Sequence, residues 1–343
     1  MRRRASLVLL GVAVFLTALA PLLRWYAFPR LAKVPAGTYQ TVVLEAKDAT
    51  LLDYARMEPR TVPEVTLVQT LKGNVEEARK VRRETGRDVV VWDTLTHVSG
   101  PGGAMVSRIP ERYVFDAHSQ QPVHAGGEHV DGTAVRRDGI EYKWPFLTEK
   151  RDYRYFDMQT RTSAPIHYRG TRSFRGLDVY YFEQTVPWTS VPLPRTMPFG
   201  VTPEAVRALG LERWYTTRRM FWVDPVTGAP VNGEEIHREE LRWTGHPGKK
   251  PVTAFAGHVK MRADYVDATV AQVTSQRRLV LLLTSWLPWG SAILGGASAA
   301  LALLLETRAR PRRAFIRQKA HDGGKTERQA PGKRAARSRG GSP

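Results

Sequence analysis

The side chains best suited to hold a metal ion lie in one short loop of the sequence. Residues 116–131 contain three histidines and three acids: His118, His124, His129, Asp116, Glu128 and Asp131. Imidazole and carboxylate groups bind zinc, but structural and catalytic zinc sites have characteristic spacings that this run does not match. Histidines in a solvated loop are far commoner than metal ligands. We therefore predict no metal site.

Pairs of carboxylates could perform general acid and base catalysis. Asp152 with Asp157, and Asp178 with Glu183, are the pairs considered. Nothing in the sequence marks either pair as buried or close in space. The chain has no Gly-x-Ser-x-Gly elbow, no His-Glu-x-x-His and no glycine-rich loop after a strand. It also has no cysteine, which excludes thiolate chemistry and disulfides. We predict no catalytic residue and no cofactor.

Aromatic side chains are concentrated between residues 142 and 187. They could line a groove for an acyl chain or a sugar. The alternative is a β-sheet core, which is favoured because aromatic residues in strands usually pack inward. The residues considered as ligand contacts are Trp144, Phe146, Tyr153, Tyr155, Phe156, Tyr180 and Phe182.

The elements that would position these side chains are mostly strands. Apolar and polar residues alternate in many short runs separated by Gly, Pro, Asn and Asp. The runs are 38–46, 65–72, 88–98, 112–116, 136–143, 177–186, 218–223 and 252–265. Thr202 and Pro203 begin a short helix that Gly210 ends, and 75–85 is either a helix or a charged loop. The run 224–228, Asp-Pro-Val-Thr-Gly, predicts a tight turn between two strands. Residues 115–123 repeat the pattern of 221–231 through either a duplicated hairpin or recurrent turn chemistry. The predicted fold class is a mainly β extracytoplasmic domain, sandwich or barrel-like, with a few short helices and flanking transmembrane helices.

Two apolar runs are long enough to cross a membrane. Leu279–Leu305 contains no ionisable residue, and Ser6–Leu23 is nearly as long as the roughly 20 residues that a bilayer core requires. We interpret the N-terminal run, Ser6–Leu23, as an uncleaved anchor. The alternative is a signal peptide cleaved after Ala20, which Pro21 disfavours. The predicted domains are 1–5 cytoplasmic, 6–24 transmembrane, 25–278 extracytoplasmic and β-rich, 279–305 transmembrane, and 306–343 a basic, disordered cytoplasmic tail.

Positive charge is concentrated at the ends of the chain. Residues 307–343 contain twelve Lys and Arg against two acids, so this stretch carries +10 of the total +19. Basic residues beside a span favour cytoplasmic termini and bind anionic lipid headgroups, so no nucleic-acid partner is predicted. Within the second span, Ser291, Gly295 and Ala299 form a face of small residues that could pack against the first span or a second copy.

Three segments resemble the actinobacterial family of PorA-type porins. They are Pro145-Phe146-Leu147-Thr148-Glu149-Lys150 with Tyr153 and Asp157, Gly176-Leu177 with Tyr180 and Phe182, and Trp222-Val223-Asp224-Pro225-Val226-Thr227-Gly228. The resemblance covers essentially the whole chain and implies a plasma-membrane protein with an external domain, associated with assembly of envelope lipoglycans. Two apolar helices and short, charged strands differ from the pattern of an outer-membrane barrel, so the sequence argues against porin activity.

These observations lead to three hypotheses about function. The first is a non-enzymatic envelope protein at the plasma membrane whose external β domain binds or transfers an amphiphilic lipid or lipoglycan. The second is an extracytoplasmic hydrolase or transferase of envelope glycans or lipids. The third is a scaffold for envelope enzymes. The predicted partners are membrane lipids, a lipid or lipoglycan ligand, and a second copy or envelope enzymes.

Overall fold

A computed structural model describes residues 2–307 of the chain, with side chains from Arg4 onward. The basic tail predicted for 306–343 lies, apart from its first two residues, outside the described residues. The described chain divides into two compact units. One contains residues 2–22 and 287–307, and the other is Leu23–Trp286.

The larger unit contains one twelve-stranded antiparallel sheet. Strand order is β6-β5-β4-β3-β2-β1-β12-β11-β10-β9-β8-β7, so two six-strand meanders are joined where β1 pairs with β12. The strands are β1 (Tyr39–Asp53), β2 (Glu58–Gly73), β3 (Val89–Ser99), β4 (Met105–Asp116), β5 (His129–Val130), β6 (Thr133–Ala134), β7 (Tyr153–Asp157), β8 (Thr162–Phe174), β9 (Leu177–Ser190), β10 (Leu211–Val223), β11 (Pro230–Trp243) and β12 (Val252–Met261).

The mainly β prediction with a few helices is confirmed, and the sheet is single and not closed by strand pairing. Its two edges nevertheless come together, because Phe156 of β7 packs in one apolar cluster with Ile109 of β4 and Val130 of β5. A sandwich of two sheets is therefore wrong for this chain, and the curled sheet has an inner and an outer face.

Six α-helices are described, and two of them bear on the helix predictions. They are α1 (Arg2–Pro21), α2 (Phe28–Leu31), α3 (Val75–Thr85), α4 (Pro203–Ala208), α5 (Ala263–Leu281) and α6 (Leu287–Thr307). The cap predicted for α4 is present, since the Ala205 amide donates to Thr202 Oγ1 at 3.2 Å. The segment 75–85 is a helix because Asn74 Oδ1 caps the Glu77 amide and Gly86 ends α3 at φ 69°.

The predicted strand 136–143 is wrong. Its residues form no strand and instead lie along β7, where the Ile140 amide donates to Arg154 O at 2.9 Å and Ile140 O accepts from Phe156 at 3.0 Å. A Cβ on Gly139 would lie 2.2 Å from Arg154 O, so only glycine permits this approach. The strand predicted to reach Tyr265 also stops at Met261, because α5 begins at Ala263.

The turn predicted after β10 is confirmed and recurs in the fold. Asp224 Oδ2 accepts from the Thr227 amide and hydroxyl, both at 2.8 Å. Asp116 accepts in the same way from the amide and hydroxyl of Ser119 at 2.9 Å. The short polar side chain thus replaces backbone partners within a tight turn, which explains the likeness of the two sequences without a duplication.

Two helical segments are long and apolar enough to cross a membrane, Arg4–Leu31 and Ala263–Thr307. Pro288 cannot donate to Thr284 O, and the Arg24 guanidinium donates to that carbonyl instead at 3.4 Å. A π-helical stretch, Leu282–Trp286, accommodates the proline.

The smaller unit is a close pair of helices, α1 and α6. A Cβ on Gly295 would lie 2.9 Å from Thr17 Oγ1 and 3.3 Å from Ala13 O, so the small-residue face of α6 is occupied by α1. Ser6 Oγ donates to Ala302 O at 3.3 Å near one end of the pair. The apolar side chains that point away from the pair, such as Phe15 and Ile293, are more than half exposed.

Replacing Gly295 with leucine should separate the helix pair. The new side chain has no space beside Thr17 and Ala13, and overpacking of this kind costs about 1–3 kcal/mol. Thermal unfolding of the full chain in nanodiscs should show a lower midpoint for Gly295→Leu. The matched control is Gly296→Leu, because nothing lies within 4 Å of a Cβ at Gly296. Equal midpoints for the two variants would contradict the packing described here.

Candidate functional site

The curled sheet and α5 surround a cavity of about 1010 Å³. It opens beside Lys33, Gly37 and Tyr39, which are exposed residues that also line it. The volume is at the upper end of the range for small-molecule sites in proteins. This cavity is the candidate functional site of the larger unit.

One wall of the cavity is apolar. It is built from β1, β2 and β12, which meet at the junction of the two meanders and turn alternate aliphatic side chains inward. Its side chains are Val42, Leu44, Leu67, Leu71, Val259 and Met261. Strands β1 and β2 are consecutive in the sequence but β12 is distant from both, so this wall depends on the β1–β12 pairing.

The opposite wall is ionic and is built on β10 and β11. Arg219 of β10 lies directly across from Glu235 of β11 in the strand register, and Arg219 Nε donates to Glu235 Oε1 at 2.6 Å. Its Nη2 donates to Asp157 Oδ2 at 2.8 Å, and its Nη1 donates to Gln184 Oε1 at 3.1 Å. Arg219 is only 5 % exposed, so every part of its guanidinium is used within the protein.

His237 continues this wall along β11. Its Nε2 lies 2.8 Å from Glu239 Oε1 and its Nδ1 lies 3.4 Å from Glu235 Oε2. Arg213 closes the network with two bonds to Glu239, at 2.8 and 2.6 Å. Three basic and three acidic groups therefore balance one another: Arg213, Arg219, His237, Asp157, Glu235 and Glu239.

The ion pairs fix the protonation states of this wall. Burial alone would lower the pKa of His237, but its bonds to Glu235 and Glu239 outweigh burial and raise that pKa to about 9. Burial opposes ionisation of Glu235, yet the charge of Arg219 lowers the pKa of Glu235 to about 2. His237 and Glu235 are therefore both charged at neutral pH.

A second buried group of charges lies beside the network. The Arg137 guanidinium contacts Glu141 at 2.8 Å and Glu111 at 3.1 Å, with Glu128 at 3.8 Å. It lies over the Phe156 ring, 4.7 Å from its centroid. One cation thus faces three carboxylates. Burial, together with the charge of Glu111, raises the pKa of Glu141 well above its usual range.

Helix α5 covers one side of the cavity. Thr269, Val273 and Val280 are among the α5 side chains that line it. Arg277 Nη1 donates to Asp224 Oδ1 at 3.0 Å, and Asp224 is completely buried in the turn after β10. Gln40 of β1 also donates to the Tyr265 hydroxyl at 2.7 Å. Both meanders therefore hold α5 in place.

The aromatic residues singled out in the sequence divide between two places. Trp144, Tyr153 and Phe182 lie in a buried aromatic cluster, with Trp144 and Phe182 centroids 5.1 Å apart, and Tyr180 packs at its edge. The other three line the cavity: Phe146, Tyr155 and Phe156. Whether any of them contacts a ligand stays a prediction.

The residues considered for a metal site do not converge on one place, and neither do the carboxylates considered for acid/base catalysis. His124 pairs with Glu128, whereas His118 contacts Ala32 O and Asp88, and in residues 4–307 no three metal-binding side chains converge. Asp152 is bound to His167 near the surface, and Asp157 is buried against Arg219. Glu183 pairs with Arg218 at 2.8 Å.

The ionic wall was missed by sequence reasoning. Residues 234–240 read Glu-Glu-Ile-His-Arg-Glu-Glu, so both faces of β11 carry charge and alternation does not single out the inner set. Arg218 and Arg219 are likewise adjacent and point to opposite faces. The only signal was the regular spacing of Glu235, His237 and Glu239 within a strand.

Replacing Arg219 should destabilise the larger unit strongly. Arg219→Met removes the guanidinium that pairs with the buried Asp157 and with Glu235, and breaking a buried ion pair typically costs about 3–5 kcal/mol. In a domain of this size that corresponds to a fall of roughly 6–20 °C in the unfolding midpoint. Arg218→Met is the matched control, because Arg218 is half exposed and its ion pair contributes about 1 kcal/mol or less. Similar midpoints for both variants would show that the ionic wall does not stabilise the fold.

The raised pKa of His237 predicts a pH dependence of stability. The folded state holds the proton more tightly than the unfolded chain, so the contribution is complete below about pH 6.5 and is lost as pH rises through about 9. Its size is about 3 kcal/mol. His237→Gln should remove this part of the stability profile in denaturant titrations between pH 6 and 10. His258→Gln, which removes an exposed partner of Glu234, should retain it. A wild-type profile that stays level across this range would contradict the prediction.

The sequence of the chain matches known proteins over most of its length. A model of the family described as porin PorA matches residues 5–304. A protein named Porin PorA from Corynebacterium amycolatum is 24% identical over 293 residues, a match that covers 67% of this chain and 75% of that protein. A second Porin PorA, from Corynebacterium resistens, is 27% identical over 191 residues, covering 38% of this chain and 46% of that protein.

These matches correct the leading functional hypothesis drawn from the sequence. The sequence predicted a lipid-binding or lipid-transfer role and argued against porin activity. Both predictions are overturned, because both relatives carry the name of a porin. The error lay in requiring strands to cross the membrane, whereas apolar helices can also do so. The predicted family is confirmed by a match that extends almost from end to end. This chain belongs to the porin PorA family.

Proposed function

We propose that this protein forms a channel in the cell envelope. The observation that carries the proposal is the family match over residues 5–304, together with the name that both relatives bear. The two candidate spans, Arg4–Leu31 and Ala263–Thr307, support placement in a membrane of that envelope. The protein is a pore former without enzymatic activity. This agrees with the positions of Asp152, Asp157 and Glu183, each of which is held in a separate ion pair.

The larger unit supplies a route for solutes. Its cavity of about 1010 Å³ opens at exposed residues and has one apolar and one ionic wall. Because the basic and acidic groups of the ionic network balance, the network itself excludes neither cations nor anions. Conduction through it is therefore weakly selective between ions of opposite sign.

The route through the bilayer requires several copies of the chain. The sheet carries ion pairs on its outer face, such as Arg218 with Glu183, and lacks the apolar band that a barrel presents to lipid. Within one copy α1 and α6 pack so closely at Gly295 that no lumen remains between them. A pore lined by helices therefore forms between copies, with exposed residues such as Ile293 at lipid or subunit contacts.

The topology follows from the distribution of charge. We place 6–24 and 279–305 in the bilayer, 25–278 outside the plasma membrane, and 1–5 and 306–343 in the cytoplasm. The basic residues of 306–343 then lie against the anionic headgroups of the inner leaflet.

Channel formation is tested by electrical recording. The full chain, purified and added to planar lipid bilayers, should produce discrete conductance steps with weak selectivity in salt gradients. A preparation from cells that carry the empty vector controls for contaminating channels. Native mass spectrometry of the same sample in nanodiscs should show assemblies of more than one copy. Folded, membrane-inserted protein that gives no steps above the control would overturn the proposed function.

A further inference from the structure

Lys143 is a basic residue of the cavity that belongs to neither charge network. It lies in the segment between β6 and β7 and lines the cavity. Its ammonium donates to Trp144 O at 2.9 Å and to Thr227 O at 2.8 Å. A lysine amine has three donor positions when protonated, so two carbonyls leave one position without a partner in the protein.

No acid neutralises this amine directly. Among residues 4–307, no carboxylate oxygen lies within 4.0 Å of Lys143 Nζ. The carboxylate that acts on this amine is that of Asp224. Its oxygens accept hydrogen bonds from Arg277 and from the amide and hydroxyl of Thr227. The Phe146 ring lies 3.9 Å from Nζ. The amine therefore has an apolar ring and the cavity as its remaining surroundings.

These surroundings favour the neutral amine. Burial lowers the pKa of Lys143 to about 7, and the charge of Asp224 opposes the shift only in part. The side chain keeps some exposure, and the surface it exposes lines the cavity. The amine can therefore lose its proton near neutral pH and act as a nucleophile there. Lysines desolvated in this way are the ones that form Schiff bases.

We propose that Lys143 is a covalent binding site for aldehydes with an apolar body, which it holds as an imine. The amine nitrogen attacks the aldehyde carbon, a C=N bond replaces the C=O bond, and the aldehyde oxygen leaves as water. The reaction needs no oxidant or reductant and is reversible. The apolar wall that faces the ionic network accommodates the rest of the ligand, with Leu44, Leu67 and Val259 on it.

The reactivity of Lys143 distinguishes a binding site from a lysine that only joins two segments. The bonds to Trp144 O and Thr227 O do connect the segment before β7 to the turn after β10. A purely structural amine would, however, react no faster than other lysines. The proposal does not depend on channel formation, since it concerns the cavity of the larger unit alone.

Reductive trapping tests the site. The full chain in nanodiscs is treated at pH 7 with hexanal and sodium cyanoborohydride, which delivers hydride to the imine carbon and leaves a stable secondary amine. Peptide mapping should show the hexyl adduct on Lys143 at least ~10-fold faster than on a lysine with the usual pKa of an exposed amine. Glyceraldehyde, a polar aldehyde, should label Lys143 more slowly than hexanal does.

Two variants complete the experiment. Lys143→Arg keeps a positive charge and donors to both carbonyls but should lose the fast adduct. The matched control is Lys249→Arg, because Lys249 is exposed over the Trp243 ring outside the cavity, and this change should leave trapping at Lys143 intact. If Lys143→Arg does not fold, mapping of the wild-type chain still decides the matter. Adducts spread over exposed lysines with Lys143 unlabelled, or equal rates for the two aldehydes, would overturn the proposal.

Discussion

The interaction on which the larger unit depends is the contact of the Arg219 guanidinium with Asp157 and Glu235. Asp157 ends β7, Arg219 lies on β10, and β8 and β9 separate these two strands in the sheet. A contact between strands that are not neighbours requires the sheet to curl. Because Arg219 and Asp157 are buried and Glu235 is largely shielded from solvent, the curl is maintained by charges that would be costly to separate. The cavity is the space that the curled sheet leaves between this network and the aliphatic side chains of β1, β2 and β12.

The balance of charge explains how so many ionisable groups remain inside one domain. Arg213, Arg219 and His237 each contact a carboxylate, so burial does not neutralise them. Around Arg137 the acids are in excess, and there burial and the charge of Glu111 raise the pKa of Glu141 well above its usual range. The same physical rule therefore acts in opposite directions in two neighbouring groups of charges. An acid beside a base stays ionised, whereas a buried acid beside another acid holds its proton more tightly.

Helix α5 is held against the sheet of the larger unit by specific contacts. Asp224 shapes the turn after β10 and also receives Arg277 of α5. A residue whose role in the sequence was that of a turn former thus fixes the helix that leads toward the second candidate span. Any movement of α5 relative to the sheet has to break a contact to a fully buried carboxylate.

Local features of the fold could be predicted from the sequence because their causes are local. The cap at Thr202, the turn at Asp224 and the long apolar segments depend on a few neighbouring residues. The segment 136–143 could not, since its position between the sheet edges is determined by contacts with β7 rather than by its own alternation.

Predicting the cavity required information that one sequence does not contain. Three of the seven aromatic residues named as ligand contacts line it, because alternation distinguishes the two faces of a strand without showing which space each face borders. The ionic wall could not be predicted for the same reason, because β11 carries charge on both faces. The family was predicted from short motifs, whereas the function was not, because those motifs form turns and core strands.

The central claim, that solutes pass through the cavity of the larger unit, can be tested by modifying single cysteines during electrical recording. The chain has no cysteine, so each introduced thiol is unique. Thr96→Cys places a thiol in the cavity wall, and Thr185→Cys places one on the exposed outer face. A bulky methanethiosulfonate reagent should reduce the conductance of Thr96→Cys channels and leave that of Thr185→Cys channels unchanged. Unchanged conductance after complete modification of Thr96→Cys would contradict the claim.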